Sequence, residues 1–406
     1  KSIIMMRSNG LQRLVAFAVV MTACFALFLR YPAKTLRLEL PIPQDFSVYL
    51  NAWERAKAHE SPYVAADGLP YKYSPGVLPL VGLLPPHPAN AWYVFGSLSL
   101  FLFGLALMSG GRWSTWKEVF LLVVGLALGW KGLIENLDYG QLDLLLFSVA
   151  MISGALLGRW PFFAGLLAGT LPWFKLPWAL LLLPLWLMAR TDSGPSGLAP
   201  RAPRRLRMLV SGFALASLTW GAALPSFVFG SQRALEYSQA WLELLRTQPS
   251  SIYLHDMNQS IWVLLPRWAG MTPALPTPFT IALTLMLAGV ALGILVSATP
   301  RSRGSLASLT PWVLFLQLMN PLAWRWASLL VVGVPVACDR AGPADRKPSA
   351  WAFAGWGAVT ALWLIQLNPF ARLMGATHWT EFHPFGTIGL YWLVLLLLML
   401  ERGRLR

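Results

Sequence analysis

The sequence predicts an all-α polytopic membrane protein of about a dozen helical spans, and three observations carry that prediction. Of the 406 residues, 56% are hydrophobic and only 12% are charged. Soluble domains carry about 25% charged residues, so this chain has too little polar surface to clothe a water-soluble globule. Long apolar runs recur at 11–29, 91–108, 208–229, 277–298 and 391–400 with its flanks. A run of about 18 or more apolar residues crosses the ~30 Å hydrocarbon layer as a helix. The third observation is where the charge lies. The formal net charge is +15, and loops assigned alternately to two sides from an inner N-terminus form two unlike sets. One holds 19 Lys/Arg against 5 Asp/Glu, the other 13 against 12. The basic excess falls on one side, as the positive-inside rule requires. It therefore reports topology, and no nucleic-acid partner is implied.

Taken in order, the spans are expected near 11–29, 89–108, 118–132, 142–158, 161–174, 177–189, 208–229, 277–298, 306–319, 323–338, 350–367 and 387–401. The first has the basic start and apolar stretch of a signal peptide. No small-residue cleavage site precedes Arg30-Tyr31-Pro32, so it is kept as a span. The runs at 162–174 and 178–188 are short and fit spans buried in a bundle or paired around a break. Arg190–Met208 is Pro/Gly/Ser-rich and dense in arginine, and reads as a cytoplasmic loop. No internal repeat is visible, and 1–406 reads as one transmembrane domain. Cys24 and Cys338 fall in different spans with neither a pairing nor a metal spacing.

Two outer loops, 30–87 and 230–277, are too long to be mere connectors. In the first, Gln44–Glu60 sets Phe46, Tyr49, Leu50, Trp53 and Ala56 at helical spacing, with Asn51, Glu54, Arg55 and His59 elsewhere. That pattern predicts an amphipathic helix along the outer membrane surface. Residues 76–86 are apolar but too short to span, and predict a re-entrant or surface helix. All five histidines (His59, His87, His255, His378 and His383) fall on the outer side, so chemistry is expected there.

Asp45 stands at the start of the amphipathic helix. It suits an N-cap or a general base taking a proton from an attacking hydroxyl, and the two roles are compatible. Lys72-Tyr73-Ser74-Pro75 closes the first loop, where a lysine and a tyrosine either hold a phosphate or anchor the interface. Tyr139-Gly140-Gln141-Leu142-Asp143 caps a hairpin after Glu135 and Asp138. Carboxylates at a membrane edge are costly, and face a cavity or cap a loop.

Lys175, in Trp173-Phe174-Lys175-Leu176-Pro177, lies between two apolar helices and needs an anionic partner or water. Asn320-Pro321-Leu322-Ala323-Trp324-Arg325-Trp326 has the same form. Two such cations point to a bound anion, which arginine grips bidentately, or each pairs with a neighbour such as Asp143 or Glu135. The second loop adds Glu236, Glu243, His255, Asp256, Asn258 and Gln259. Asp45, His255 and Asp256 have the chemistry for a divalent ion, but no ligand spacing argues for a metal. No P-loop, G-x-G-x-x-G, H-E-x-x-H or G-x-S-x-G is present. An ATP-driven pump, a soluble nucleotide-sugar donor and a cofactor are thus not expected.

The pattern Asp45-Phe46-x-x-Tyr49, Ser61-Pro62-Tyr63 and Tyr71-Lys72-Tyr73-Ser74-Pro75 resembles the polytopic GT-C glycosyltransferases of family 87. Gly140-Gln141-x-Asp143, Lys175-Leu176-Pro177 and Asn258-Gln259-Ser260-Ile261-Trp262 agree with it, over roughly 40–330. The resemblance implies a GT-C helical bundle. It implies inverting transfer of a sugar, by default mannose, from a polyprenyl-phosphate donor to a hydroxyl of a lipid or glycan acceptor. The site would face the periplasm across a bacterial inner membrane, among membrane lipids. In that picture Asp45 is the base, and Lys175, Arg325, Lys72 and Tyr73 hold the donor phosphate. Tyr49, Gln141, Asp143, His255, Asn258 and Gln259 contact substrate. Arg325 stands where the family shows histidine, and Asp143 where it shows asparagine. The chemistry is coherent in itself, because a lipid phosphate carries its own activation and leaves without protonation, so one carboxylate suffices. The competing readings are a transporter or flippase of a lipid-linked sugar and a non-catalytic scaffold.

Overall fold

The computed structural model describes residues 44–64, 70–83, 89–108, 116–190, 202–247, 306–320 and 350–365, with short stretches near 258–263, 331–335 and 391–398. The expected span 11–29, nearly all of 277–298 and 323–338, both cysteines, Arg325, His255 and Asp256 lie outside the described residues. Among the described residues every regular element is helical, as the sequence predicts. The chain gathers into two compact units. One is Lys1–Thr115 with Glu135–Gln248, the other Trp116–Ile134 with Pro249–Arg406.

The first unit opens with α1 (Gln44–Lys57). Phe46, Tyr49, Ala52 and Ala56 are buried, while Asn51, Glu54 and Lys57 are exposed. The buried stripe thus runs through Ala52, not Leu50, and it meets protein, with the Phe46 ring lying against Tyr49 and Tyr93. The helix ends in a Schellman motif: Glu60 N–H donates to the Arg55 carbonyl at 2.9 Å, and His59 N–H to that of Ala56 at 3.1 Å. His59 holds the left-handed conformation (φ 65°) usual for glycine there, and Arg233 contacts its Nδ1 at 2.8 Å.

A 3₁₀ turn, Pro75–Val77, leads into α2 (Leu78–Gly82). This is the short helix expected within 76–86, and it buries Leu78 and Val81. Next come α3 (Ala89–Met108), the end of α4 (Trp116–Tyr139), whose residues up to Ile134 belong to the second unit, then α5 (Asp143–Leu156) and α6 (Pro161–Phe174). The run expected at 177–189 is helical throughout, a 3₁₀ segment, Leu176–Leu181, leading into α7 (Leu182–Arg190). Then α8 (Ala202–Leu218), a π turn (Thr219–Ala223) and α9 (Leu224–Phe229) form one continuous rod. Pro225 offers no N–H to the Gly221 carbonyl one turn back, and the π turn absorbs that break.

Helix α10 (Ser231–Arg246) lies where the sequence reads a long loop. Its buried Ala234, Tyr237 and Trp241 recur at helical spacing, so the signal was present. Within this unit α3 packs on α5, α5 on α6, and α6 on α8.

The α6–α8 crossing is made by small residues. A Cβ on Gly165 would stand 2.0 Å from the Leu209 carbonyl oxygen, and one on Gly212 2.1 Å from that of Phe162. Backbones this close gain packing that larger residues forbid. Gly165→Leu is therefore expected to lower stability by about 1–3 kcal/mol or more through overpacking. Thermal unfolding of the purified protein measures it, and an unchanged midpoint would count against the crossing.

In the second unit α11 (Leu306–Met319) is buried nearly all round, through Leu309, Trp312, Val313, Leu314, Phe315, Leu316 and Leu318. Such a helix belongs inside a bundle. Gly355 of α12 (Ala350–Ile365) lies against Leu398, and the Tyr391 hydroxyl donates to the Leu128 carbonyl at 3.5 Å.

Among the described residues one helical run, Ala202–Phe229, is long and apolar enough to cross a bilayer unaided, at mean hydropathy 1.4. Val123–Tyr139 and Asp143–Leu156 pass that test together, bent by 118° at their break.

Candidate active site

Asp45 is the second residue of α1, inside the first turn and not ahead of it, so it is not the N-cap that its sequence position suggested. A carboxylate there still benefits from the positive end of the helix. Burial nevertheless dominates and pushes its carboxyl from the ordinary 3.8 up to about 6. The positive charges of Lys175 and Lys72 pull the other way, and the Asp143 carboxylate adds to the rise.

Lys72 lies half-buried between two buried tyrosines, Tyr71 and Tyr73. Burial lowers its ammonium below the ordinary 10.5, with Asp45 opposing and Lys175 adding to the drop. The backbone around it is pinned from three directions. Trp241 Nε1–H of α10 donates to the Lys72 carbonyl at 3.0 Å, and the Tyr63 hydroxyl to that of Tyr73 at 3.0 Å. Ser74 N–H donates to the Trp173 carbonyl at 3.0 Å. Beyond it, Gly76 admits no side chain, since its Cβ would stand 2.0 Å from the Trp220 carbonyl oxygen at the π turn.

The tyrosines form a closed network. The Tyr49 hydroxyl donates to the Gly140 carbonyl at 3.3 Å and meets that of Tyr73 at 2.9 Å. A carbonyl only accepts, so the Tyr49 proton goes to Gly140 and the Tyr73 proton to Tyr49. Tyr73, read from the sequence as a phosphate contact, thus has its proton committed to a neighbouring side chain. Burial raises both phenols above their ordinary 10 and keeps them neutral. Tyr49→Phe leaves two buried partners unmet and is expected to cost about 1–3 kcal/mol. Denaturation of the purified variant measures it, and wild-type stability would show the network to be dispensable.

Helix α4 ends in a second Schellman motif: Gln141 N–H donates to the Asn136 carbonyl at 2.8 Å, and Gly140 N–H to that of Leu137 at 3.3 Å. Gly140 has φ 71°, the conformation glycine supplies most readily. The turn presents the buried Gln141, whose carbonyl accepts from the Tyr93 hydroxyl, and starts α5 at Asp143. Fully buried Asn136 accepts from Leu144 N–H at 3.4 Å and ties the two helix ends together.

Asp143 is almost wholly buried, its side chain 3% exposed. Both its oxygens accept from Lys175 Nζ, at 2.8 and 2.7 Å. Of the alternatives open for Lys175, the acidic neighbour is the one realised here. The pair joins the start of α5 to the end of α6, where Lys175 leaves the helix with extended backbone.

The structure thus gathers Asp45, Tyr49, Lys72, Tyr73, Gln141, Asp143 and Lys175 in the first unit. Asn258 and Gln259 belong to the second unit and are fully buried. The Asn258 side chain accepts from Ser260 N–H at 3.0 Å, a local turn. His255 and Arg325 lie outside the described residues. Among the described residues no group of three His, Cys, Asp or Glu is placed to hold a metal. Sequence reasoning missed Tyr93, Asn136 and Trp241 as members of the site's frame. Each lies in a helix whose pattern shows burial but not the partner.

A scan of the chain against models of protein families finds no match, and a search of the curated proteins finds none either.

Proposed function

We propose that this chain is a GT-C-type membrane glycosyltransferase of about a dozen spans. It moves a sugar, by default mannose, from a polyprenyl phosphate to a hydroxyl of a lipid or glycan acceptor, with inversion. The observation that carries the reading is the division of labour between two carboxylates. Asp143 has both oxygens bound by Lys175, which, of these two, leaves Asp45 available to take a proton. A carboxyl lifted to about 6 is a stronger base than an ordinary aspartate and is still largely ionised at neutral pH.

In the proposed step Asp45 accepts the proton of the acceptor hydroxyl as its oxygen attacks the anomeric carbon. The bond from that carbon to the phosphate oxygen breaks, and the phosphate leaves with the electron pair. Lys72 and Lys175 stabilise the growing charge. The leaving phosphate needs no proton, so the carboxylate pair used in glycoside hydrolysis is unnecessary. The α8–α9 rod and the bent α4–α5 pair, long and apolar enough to cross a bilayer, support the membrane reading. The basic excess on one set of loops supports a site on the outer face of a bacterial inner membrane.

The test is turnover by the purified protein, given polyprenyl-phosphate mannose and a lipid acceptor. Transfer that needs Asp45 supports the reading. A protein that transfers nothing across a panel of donors yet moves the lipid between leaflets is a flippase.

A further inference from the structure

Among the described residues, the charged groups around Asp45 are two lysines and a second carboxylate, Lys175, Lys72 and Asp143, with the phenols of Tyr49, Tyr73 and Tyr93 beside them. Their arrangement is asymmetric. Asp143 grips Lys175 through both oxygens and is itself sealed from solvent, while the ammonium keeps some exposure, its side chain 17% accessible. An ammonium has three N–H donors, and two are spent on Asp143, so one remains. On the other side Asp45 lies within electrostatic reach of Lys175 without an ion pair to it: within 4 Å, Lys175 pairs with Asp143.

We propose that Asp143 is a positioning residue: by holding Lys175 through two hydrogen bonds it aims the remaining N–H at the anion site and offsets the lysine charge felt by Asp45. The inference rests on the function proposed above. Without Asp143, Lys175 would act on Asp45 as a full unbalanced cation and hold it ionised to lower pH, which weakens it as a base. It would also bind an anion more tightly. Asp143 thus trades donor affinity for a base that works near neutrality.

The test compares Asp143→Asn and Asp143→Glu in the full-length protein in lipid nanodiscs. Infrared difference spectra against Asp45→Asn isolate the Asp45 carboxyl band and give its titration midpoint without any turnover. Asp143→Asn keeps an oxygen for Lys175 and removes the charge, so the midpoint is expected to fall by about one pH unit or more. In Asp143→Glu it stays near the wild-type value. With polyprenyl-phosphate mannose as donor, the acid limb of kcat/KM moves by the same amount, and the donor KM drops several-fold. A merely structural Asp143 changes thermal stability and leaves the midpoint in place. A folded Asp143→Asn protein whose midpoint is unmoved or raised overturns the proposal. A shifted midpoint in a protein that transfers nothing supports the offset and counts against the proposed function.

Discussion

Asp45→Asn is expected to lower transfer by about 10²–10⁴-fold, the range a positioned general base contributes, while leaving the protein at least as stable as wild type at neutral pH. The two halves of that result have one cause. Burial raises the Asp45 carboxyl to about 6 from an ordinary 3.8, so the folded protein holds this proton more tightly than the unfolded chain. That is the reverse of a salt-bridged aspartate. Stability associated with Asp45 is present at low pH and is lost as pH rises from about 4 through about 6.

At pH 7 the ionised group opposes folding by up to about 3 kcal/mol, at 1.36 kcal/mol per pKa unit. Asparagine cannot ionise, so the variant escapes the loss, and its stability should be flatter across that window. Chemical denaturation at pH 5 and about pH 7 measures the difference. A variant that loses both activity and stability would mark Asp45 as a structural group.

Lys175→Met is the second large effect. It removes the partner of a carboxylate whose side chain is 3% exposed and leaves that charge buried. Breaking a buried pair from one side typically costs about 3–5 kcal/mol, so the single variant should unfold readily and transfer nothing. The informative comparison is the double variant Lys175→Met with Asp143→Leu. Replacing both partners by apolar groups is often near neutral, so the double variant should recover most of the stability. Transfer should stay low, because the cation proposed to meet the leaving phosphate is still absent. Recovery of stability together with transfer would show that Lys175 serves the fold alone.

Much of this arrangement could be read from the sequence, and what could not has physical reasons. Gly140 marked the turn before Asp143, since a left-handed residue closing a helix favours glycine. The spacing of Phe46, Tyr49 and Ala56 gave α1, but period alone cannot say whether an apolar stripe meets lipid or protein. Here Tyr93 and Tyr73 cover it. Lys175 was legible as a cation needing a partner, and Asp143 as one candidate. The choice between that carboxylate and a ligand depends on how α5 and α6 pack, which no local pattern encodes. Helix α10 was missed because its polar residues fit a loop as well as a half-buried helix. Its Tyr237 and Trp241 were the discriminating pair. Tyr73 illustrates the limit most sharply, because its proton is settled by the Gly140 carbonyl 67 positions away, across Tyr49.

The central claim is that Asp45 takes the acceptor proton, and the pH dependence of transfer tests it most directly. Reconstituted protein, given polyprenyl-phosphate mannose and a lipid acceptor, should show kcat/KM rising through a single limb with its midpoint at about pH 6. Asp45→Asn should abolish that limb together with the activity. Full transfer by Asp45→Asn, with the limb still in place, would contradict the account.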